Sequence, residues 1–303
     1  MAWGTIIAWY LFLAGLSAGA YLTAYVVSNK SPLSTTIQKT GYFLAPALLG
    51  IGLLLLVFDA EAGLKDPLRF IYLFVNFPSS MMTNGTIILS IFMMIALFKA
   101  VMLYFKKNVP KIVDIIGVIF AVGTAAYTGL LIGVVKAVPL WNTSILPILF
   151  VVSAMSTGIA ATVLLASLVN RHAAHGLKWL KKTHLVLLAL EVLIIFFMFY
   201  VTMNANEVAY LSIKSIITGN WSLLFWLGLM LFGLGLPMLI EGIELLLGRR
   251  SSKKQSAEAE VAATSTGVLH LVPTVVTEAG VLVGGFILRY ILLAAAISTS
   301  IFL

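Results

Sequence analysis

Long apolar stretches make up most of the chain, separated by short polar breaks. A helix crossing about 30 Å of hydrocarbon needs about 20 mostly apolar residues. Eight segments meet that requirement, near residues 3–28, 38–58, 81–105, 112–134, 144–169, 183–203, 221–247 and 269–301. The last is long enough to tilt, or to begin after Pro273. No stretch shows the short alternation of apolar and polar positions that marks a membrane-spanning strand. The pattern predicts an all-α integral membrane protein with eight transmembrane helices in two four-helix bundles, a single polytopic domain over residues 1–303. The first stretch carries no Lys or Arg before Lys30 and is too long for a signal-peptide core, so it is expected to be a retained helix.

The polar breaks set the orientation. Lys30 and Lys39 lie between spans 1 and 2, and Lys106, Lys107 and Lys111 between spans 3 and 4. Arg171, Lys178, Lys181 and Lys182 follow between spans 5 and 6, and Arg249, Arg250, Lys253 and Lys254 between spans 7 and 8. The other side carries only Lys65, Arg69, Lys136 and Lys214. Cationic loops stay in the cytoplasm, so the odd-numbered connections are expected there and both termini outside, in a cytoplasmic (inner) membrane. Residues 248–267 are small and polar and read as a flexible cytoplasmic linker. The outer connections 59–80 and 136–143 instead combine Pro, aromatic and charged residues. That suits a packed surface or interface, or an aromatic belt at the headgroups.

Composition narrows the chemistry. Of 303 residues, 61% are apolar and 10% charged, against roughly 25% charged in a soluble domain. This excludes a soluble enzyme, a disordered chain and a disulfide scaffold. The net charge of +8 reads as a topology signal with secondary contact to anionic lipid, not as a nucleic-acid surface. There is no Cys, hence no thiolate nucleophile and no iron–sulfur cluster held by this chain. A b-type haem would need His ligands inside the helices. The four His (His172, His175, His184 and His270) all fall on or near the cytoplasmic face, so no haem is expected. His172 and His175 read as solvated, and no metal site is expected.

Charges inside a span cost at least about 2.5–3.5 kcal/mol and therefore mark candidate function. Lys99 lies near a span end and can snorkel to the surface. Glu191, Glu241, Glu278 and Arg289 are deeper. Glu191 and Arg289 lie at similar depth and could form a buried pair that holds two helices in register. Alternatively, Glu191, Glu241 and Glu278 line a proton path. Small residues cluster in span 1 (Gly15, Ser17, Ala18, Gly19, Ala20), span 5 (Ser153, Ala154, Ser156, Thr157, Gly158) and span 8 (Gly280, Gly284, Gly285). They allow close helix packing, or leave space for a flat ligand. LFLAGLSAGA (11–20) and LFVVSAMSTGIA (149–160) hint at an internal repeat.

Five segments together are specific. WYLFLAGLSAGAYLTA (9–24), FDAEAGLKDPLRF (58–70) with SSMMTNG (79–85), YTGLLIGVVKAVPLWN (127–142), LFVVSAMSTG (149–158) and GVLVGGFILRY (280–290) resemble, in order, the NrfD/PsrC-type membrane subunits of polysulfide reductase-like complexes. The resemblance covers nearly the whole chain. It implies a membrane anchor and quinone-binding subunit of a respiratory oxidoreductase. Such a subunit oxidises menaquinol near the extracytoplasmic face and passes electrons to a partner iron–sulfur subunit, which feeds a molybdenum-containing catalytic subunit. Tyr127 then falls at a quinone-contacting position of the family. Tyr10 falls at a polar quinone-contacting position where a relative is expected to carry His. Trp141 and Asn142 would close the mouth of the site. Asp59 is the candidate proton acceptor, and Glu61, Lys65, Asp66 and Arg69 are candidates for partner docking. A secondary transporter or channel, with the Gly/Pro-interrupted LFGLGLP (231–237) as a broken helix, and a purely structural anchor are the competing readings.

Overall fold

The computed structural model describes residues 4–59, 80–107, 109–170, 177–251 and 266–297. The helices are α1 (Thr5–Lys30), α2 (Thr35–Asp59), α3 (Met81–Tyr104), α4 (Lys111–Gly133), α5 (Ile145–Val169) and α6 (Lys178–Met203). A short α7 (Glu207–Ile217) follows, then a π-helical segment (Leu224–Gly235) continuing into α8 (Leu236–Ser251), and finally α9 (Thr266–Ala294). Eight helices are long and apolar enough to cross a membrane, and among the described residues there is no strand. The chain is a multi-pass membrane protein.

The elements match the expected spans with three informative differences. Helix α6 begins at Lys178 rather than 183, because its first turn is cationic and lies where lysines reach the headgroups. Helix α8 runs through Gly248–Ser251, and α9 begins at Thr266. Of the expected linker, 252–265 lies outside the described residues. Helix α7 is absent from the expected spans because 11 residues cannot cross hydrocarbon. It buries Ala209, Ser212, Ile213 and Ile216, the i, i+3, i+4, i+7 pattern of one helix face. Asn206 caps it by accepting the Ala209 amide at 2.8 Å.

Helix α1 packs against α2, α4, α5 and α9, and its small residues permit this. At the α1–α5 crossing a methyl on Gly19 would overlap the Ala154 carbonyl oxygen, and one on Gly158 would overlap the Gly19 backbone. The small-residue stripes of spans 1 and 5 therefore serve close packing. In the same way Gly284 of α9 sits against Gly233 of the π-helical segment. Ser17 also donates to the Ala45 carbonyl of α2 at 2.6 Å, beside Pro46. By contrast α3 presents Met94, Leu97, Phe98 and Val101 outward, as a lipid-facing helix would. The stretch 231–237 is not an unwound break of the kind a midplane transport site uses. The π-helical register feeds directly into α8, and Pro237, which lacks an amide donor, sits at the join.

The eight spans alternate in direction, which defines two faces. Thr5, Asp59, Met81, Gly133, Ile145 and Met203 end their helices at the amino-terminal face. Among the described residues the opposite face carries Lys30, Lys39, Lys106, Lys107, Lys111, Lys178, Lys181 and Lys182, and the amino-terminal face carries Lys136 and Lys214. Lys99 does not reach the surface alone. It pairs with Asp114 of α4 at 2.5 Å and lies over the Tyr42 ring.

Candidate functional site

Two tyrosines are buried near the amino-terminal face. Tyr10 is five residues into α1 and Tyr127 six residues before the end of α4. At 1.5 Å per residue both are about 8–9 Å deep. Both side chains are buried. The Tyr127 ring lies on the bare backbone of Gly85, where any Cβ would overlap it, so the glycine of TNG creates the slot for the ring. The Tyr10 hydroxyl is buried with no hydrogen-bond partner in the protein. A buried hydroxyl left unpaired is costly, so such a group has a use for a polar ligand atom or a water.

The other expected members of this end are distributed around it. Asp59 closes α2 and is half-buried, its Oδ1 facing Gly4 at the start of α1. Trp141 is fully buried, and its Nε1 donates to the Leu292 carbonyl of α9 at 2.7 Å. Its ring N–H thus holds the 138–142 turn to the last helix. Asn142 is exposed beside it. Glu61, Lys65, Asp66 and Arg69 lie outside the described residues.

The deep charges are arranged differently from the simplest expectation. Glu191 and Arg289 do not meet directly. Ser156 donates to Glu191 Oε2 at 2.9 Å, and Arg289 Nη1 donates to Ser153 at 3.2 Å. Two serines three residues apart on α5 therefore stand between them. The reason is that the guanidinium folds back along α9, donating to Gly285 at 2.7 Å. It lies between the Phe12 and Phe150 rings at 5.6 and 5.1 Å. Those phenylalanines hold matching places in LFLAGLSAGA and LFVVSAMSTGIA, so the two similar segments cross at the same guanidinium.

Nearer the lysine face, Glu241 and Glu278 do not line up singly with Glu191 but converge on His184. His184 Nδ1 is 2.6 Å from Glu241 Oε1 and 3.8 Å from Glu278 Oε2. The three residues are 1%, 3% and 5% exposed, and one ligand-type atom from each lies within 4.8 Å of the others. With α6 taken to start at 183, His184 reads as a surface residue. The true start at Lys178 places it a turn and a half inside. The signal available in the sequence is the run Lys181, His184, Leu188, Glu191, which keeps one helical face.

Comparison with known proteins places the chain. The family model described as "Polysulphide reductase, NrfD" matches residues 1–254. The chain is similar to the C component of polysulfide reductase from Wolinella succinogenes, with 33% identity over 272 residues, covering 79% of this chain and 83% of that one. It is also similar to the protein NrfD of Escherichia coli, 27% identical over 303 residues, covering 89% and 92%. The C component of selenate reductase from Mesobacillus selenatarsenatis is 26% identical over 299 residues, covering 82% and 69%. The chain belongs to the NrfD family, the membrane subunits of polysulfide reductase-type complexes.

Proposed function

We propose that this chain is the quinone-reactive membrane subunit of a respiratory oxidoreductase. In this reading it oxidises menaquinol near the amino-terminal, extracytoplasmic face of the inner membrane. The electrons pass to a partner iron–sulfur subunit that feeds a molybdenum-containing catalytic subunit. The observation that carries the reading is the burial of Tyr10 and Tyr127 at similar depth at one end of the bundle, the Tyr10 hydroxyl without a protein partner. Family membership supports it, as does the lack of Cys, which leaves this chain no cluster of its own.

The residues fit a quinone. A phenol donates to a carbonyl or accepts from a hydroxyl, so Tyr127 and Tyr10 can orient either redox form at one oxygen. Gly85 leaves room for the Tyr127 ring. A bound menaquinol supplies two electrons, which the partner's cluster takes, and two protons. Asp59, at the end of α2 and open to the amino-terminal face, is the carboxylate to accept a proton from the site and release it to water. Trp141, through Leu292, holds the adjoining turn against α9, and Asn142 stands at its edge. Glu61, Lys65, Asp66 and Arg69 belong to the connection on that same face and are assigned to partner docking.

The test is titration of a fluorescent naphthoquinol analogue into the native membrane complex, for wild type and Tyr127→Phe. One lost hydrogen bond of about 0.5–1.5 kcal/mol weakens binding roughly two- to tenfold. Saturable binding that weakens in the variant supports the site. Equal binding by both proteins removes Tyr127 from it, and no binding by wild type overturns the quinone reading.

A further inference from the structure

We propose that His184, Glu241 and Glu278 form a buried proton-holding site that exchanges protons with the lysine face. It lies at the opposite end of the bundle from the tyrosines and stands whether or not they bind quinone.

Three helices bring the groups together: His184 from α6, Glu241 from α8 and Glu278 from α9. They border a cavity of about 10 Å³ whose other walls include Ile159, Val163, Leu177 and Leu180. That is room for about one water. Of the residues around it, His184 Nε2, Glu241 Oε2 and Glu278 Oε2 are each buried and without a hydrogen-bond partner in the protein. Polar atoms so placed need a proton or a water to be satisfied.

Charge balance points to the proton. The nearby ionisable groups are Lys181 and Glu191 on α6, Glu244 on α8 and, farther along α9, Arg289. Helix α5, which forms the facing wall, contributes none. Lys181 is engaged with Glu244 at 2.6 Å, and Arg289 with Ser153 and Gly285. Even with His184 as imidazolium, two ionised carboxylates would leave one uncompensated negative charge among aliphatic side chains. An unpaired buried charge is strongly disfavoured, and such groups neutralise instead. The three groups therefore share two protons at rest, and one more proton lost or gained is the event the site is built to register.

The spacing also separates a proton from a metal ion. Two ligands on a tetrahedral zinc, each about 2.0–2.1 Å from it, lie about 3.3 Å apart. His184 Nδ1 and Glu241 Oε1 are 2.6 Å apart, a hydrogen-bonded separation shorter than two ligands of one zinc ion keep. The route outward is one helical turn long. Lys181 precedes His184 by three residues and lines the cavity, and its partly exposed partner Glu244 follows Glu241 by three. Inward, Glu191 lies two turns beyond His184 and leads through Ser156 and Ser153 to Arg289.

The full chain in lipid nanodiscs tests this by infrared spectroscopy, with no quinone or partner present, so its failure would leave the quinone reading untouched. Wild type is expected to show one buried carboxylic-acid band per chain that changes with pH. Glu278→Gln, which keeps the shape of the site, is expected to lose it, and Glu207→Gln at the exposed start of α7 to keep it. A wild-type chain with no such band overturns the proposal without recourse to any variant, and so does a band that survives both Glu278→Gln and Glu241→Gln. Metal analysis of the purified chain offers a further way to fail: a stoichiometric divalent ion, lost in His184→Ala, would make this a metal site. For the entrance, Lys181→Met is expected to change the hydrogen–deuterium exchange rate of that carboxyl at least tenfold. An unchanged rate would overturn exchange through the Lys181–Glu244 pair.

Discussion

Near the lysine face an imidazole and two carboxylates from three helices gather around one cavity, and near the amino-terminal face two phenols from two helices lie buried at similar depth. The first set cannot be fully ionised in an aliphatic pocket, so its protonation is its variable. The second set is neutral, so its variable is which hydrogen-bond partner it meets. Burial alone does not distinguish them, since Tyr10 is at 0% exposure and His184 at 1%. The gathering of ionisable groups does: an imidazole and two carboxylates lie within 4.8 Å of one another only at the first, among the described residues. Between the two ends, Glu191, Ser156, Ser153 and Arg289 join α6, α5 and α9 through side-chain hydrogen bonds.

The comparison is broken most severely at the scaffold that both ends share. Gly158→Leu forces a branched side chain into the Gly19 backbone. Overpacking costs about 1–3 kcal/mol where neighbours can yield, and here the neighbour is main chain. Loss of monodisperse protein on size-exclusion chromatography is the expected outcome, and a wild-type elution profile would refute the tight α1–α5 crossing. The next largest effect separates the two ends. His184→Leu strands two carboxylates without their imidazole, an expected loss of about 3–5 kcal/mol in denaturant unfolding of the detergent-solubilised chain. An unchanged midpoint would mean the carboxylates do not depend on the imidazole.

Smaller substitutions sharpen the contrast. Tyr127→Phe is expected to weaken naphthoquinol binding as described above while leaving the carboxyl band of the lysine-face triad in place. A change in that band would show that the ends are coupled more tightly than the serine bridge implies. Trp141→Phe removes one donor to Leu292. Interhelical hydrogen bonds in membranes average about 0.6 kcal/mol, so a fall in Tm of about 2 °C is expected, measured by thermal denaturation. A fall several times larger would make Trp141 a keystone of the site rather than a brace.

Much of the architecture was legible because membrane constraints are local. The edges that shifted, at Lys178 and Ser251, are where polar residues continue a helix beyond the hydrocarbon, and hydropathy does not register them. Helix α7 escaped because its evidence is amphipathic spacing within 11 residues, not length. At the candidate site, Tyr10, Tyr127 and Asp59 were nameable from a resemblance and from their positions along their helices. His184 was not, because its importance lies in residues far along the chain. Glu191 and Arg289 matched in depth, but depth does not specify rotamer, and the guanidinium turned toward Gly285 and Ser153.

The sequence by itself determined the number of spans and their alternation. Each follows from a requirement a single segment meets alone: enough apolar length to cross, with every backbone polar group bonded internally. Only the tertiary structure decided which buried polar groups meet. His184 and Glu241 are separated by 57 residues, Trp141 and Leu292 by 151, and Ser153 and Arg289 by 136. Which of these pairs forms depends on how closely helices can approach and how each is rotated, and that is set by contacts such as Gly19 against Gly158 rather than by any one helix.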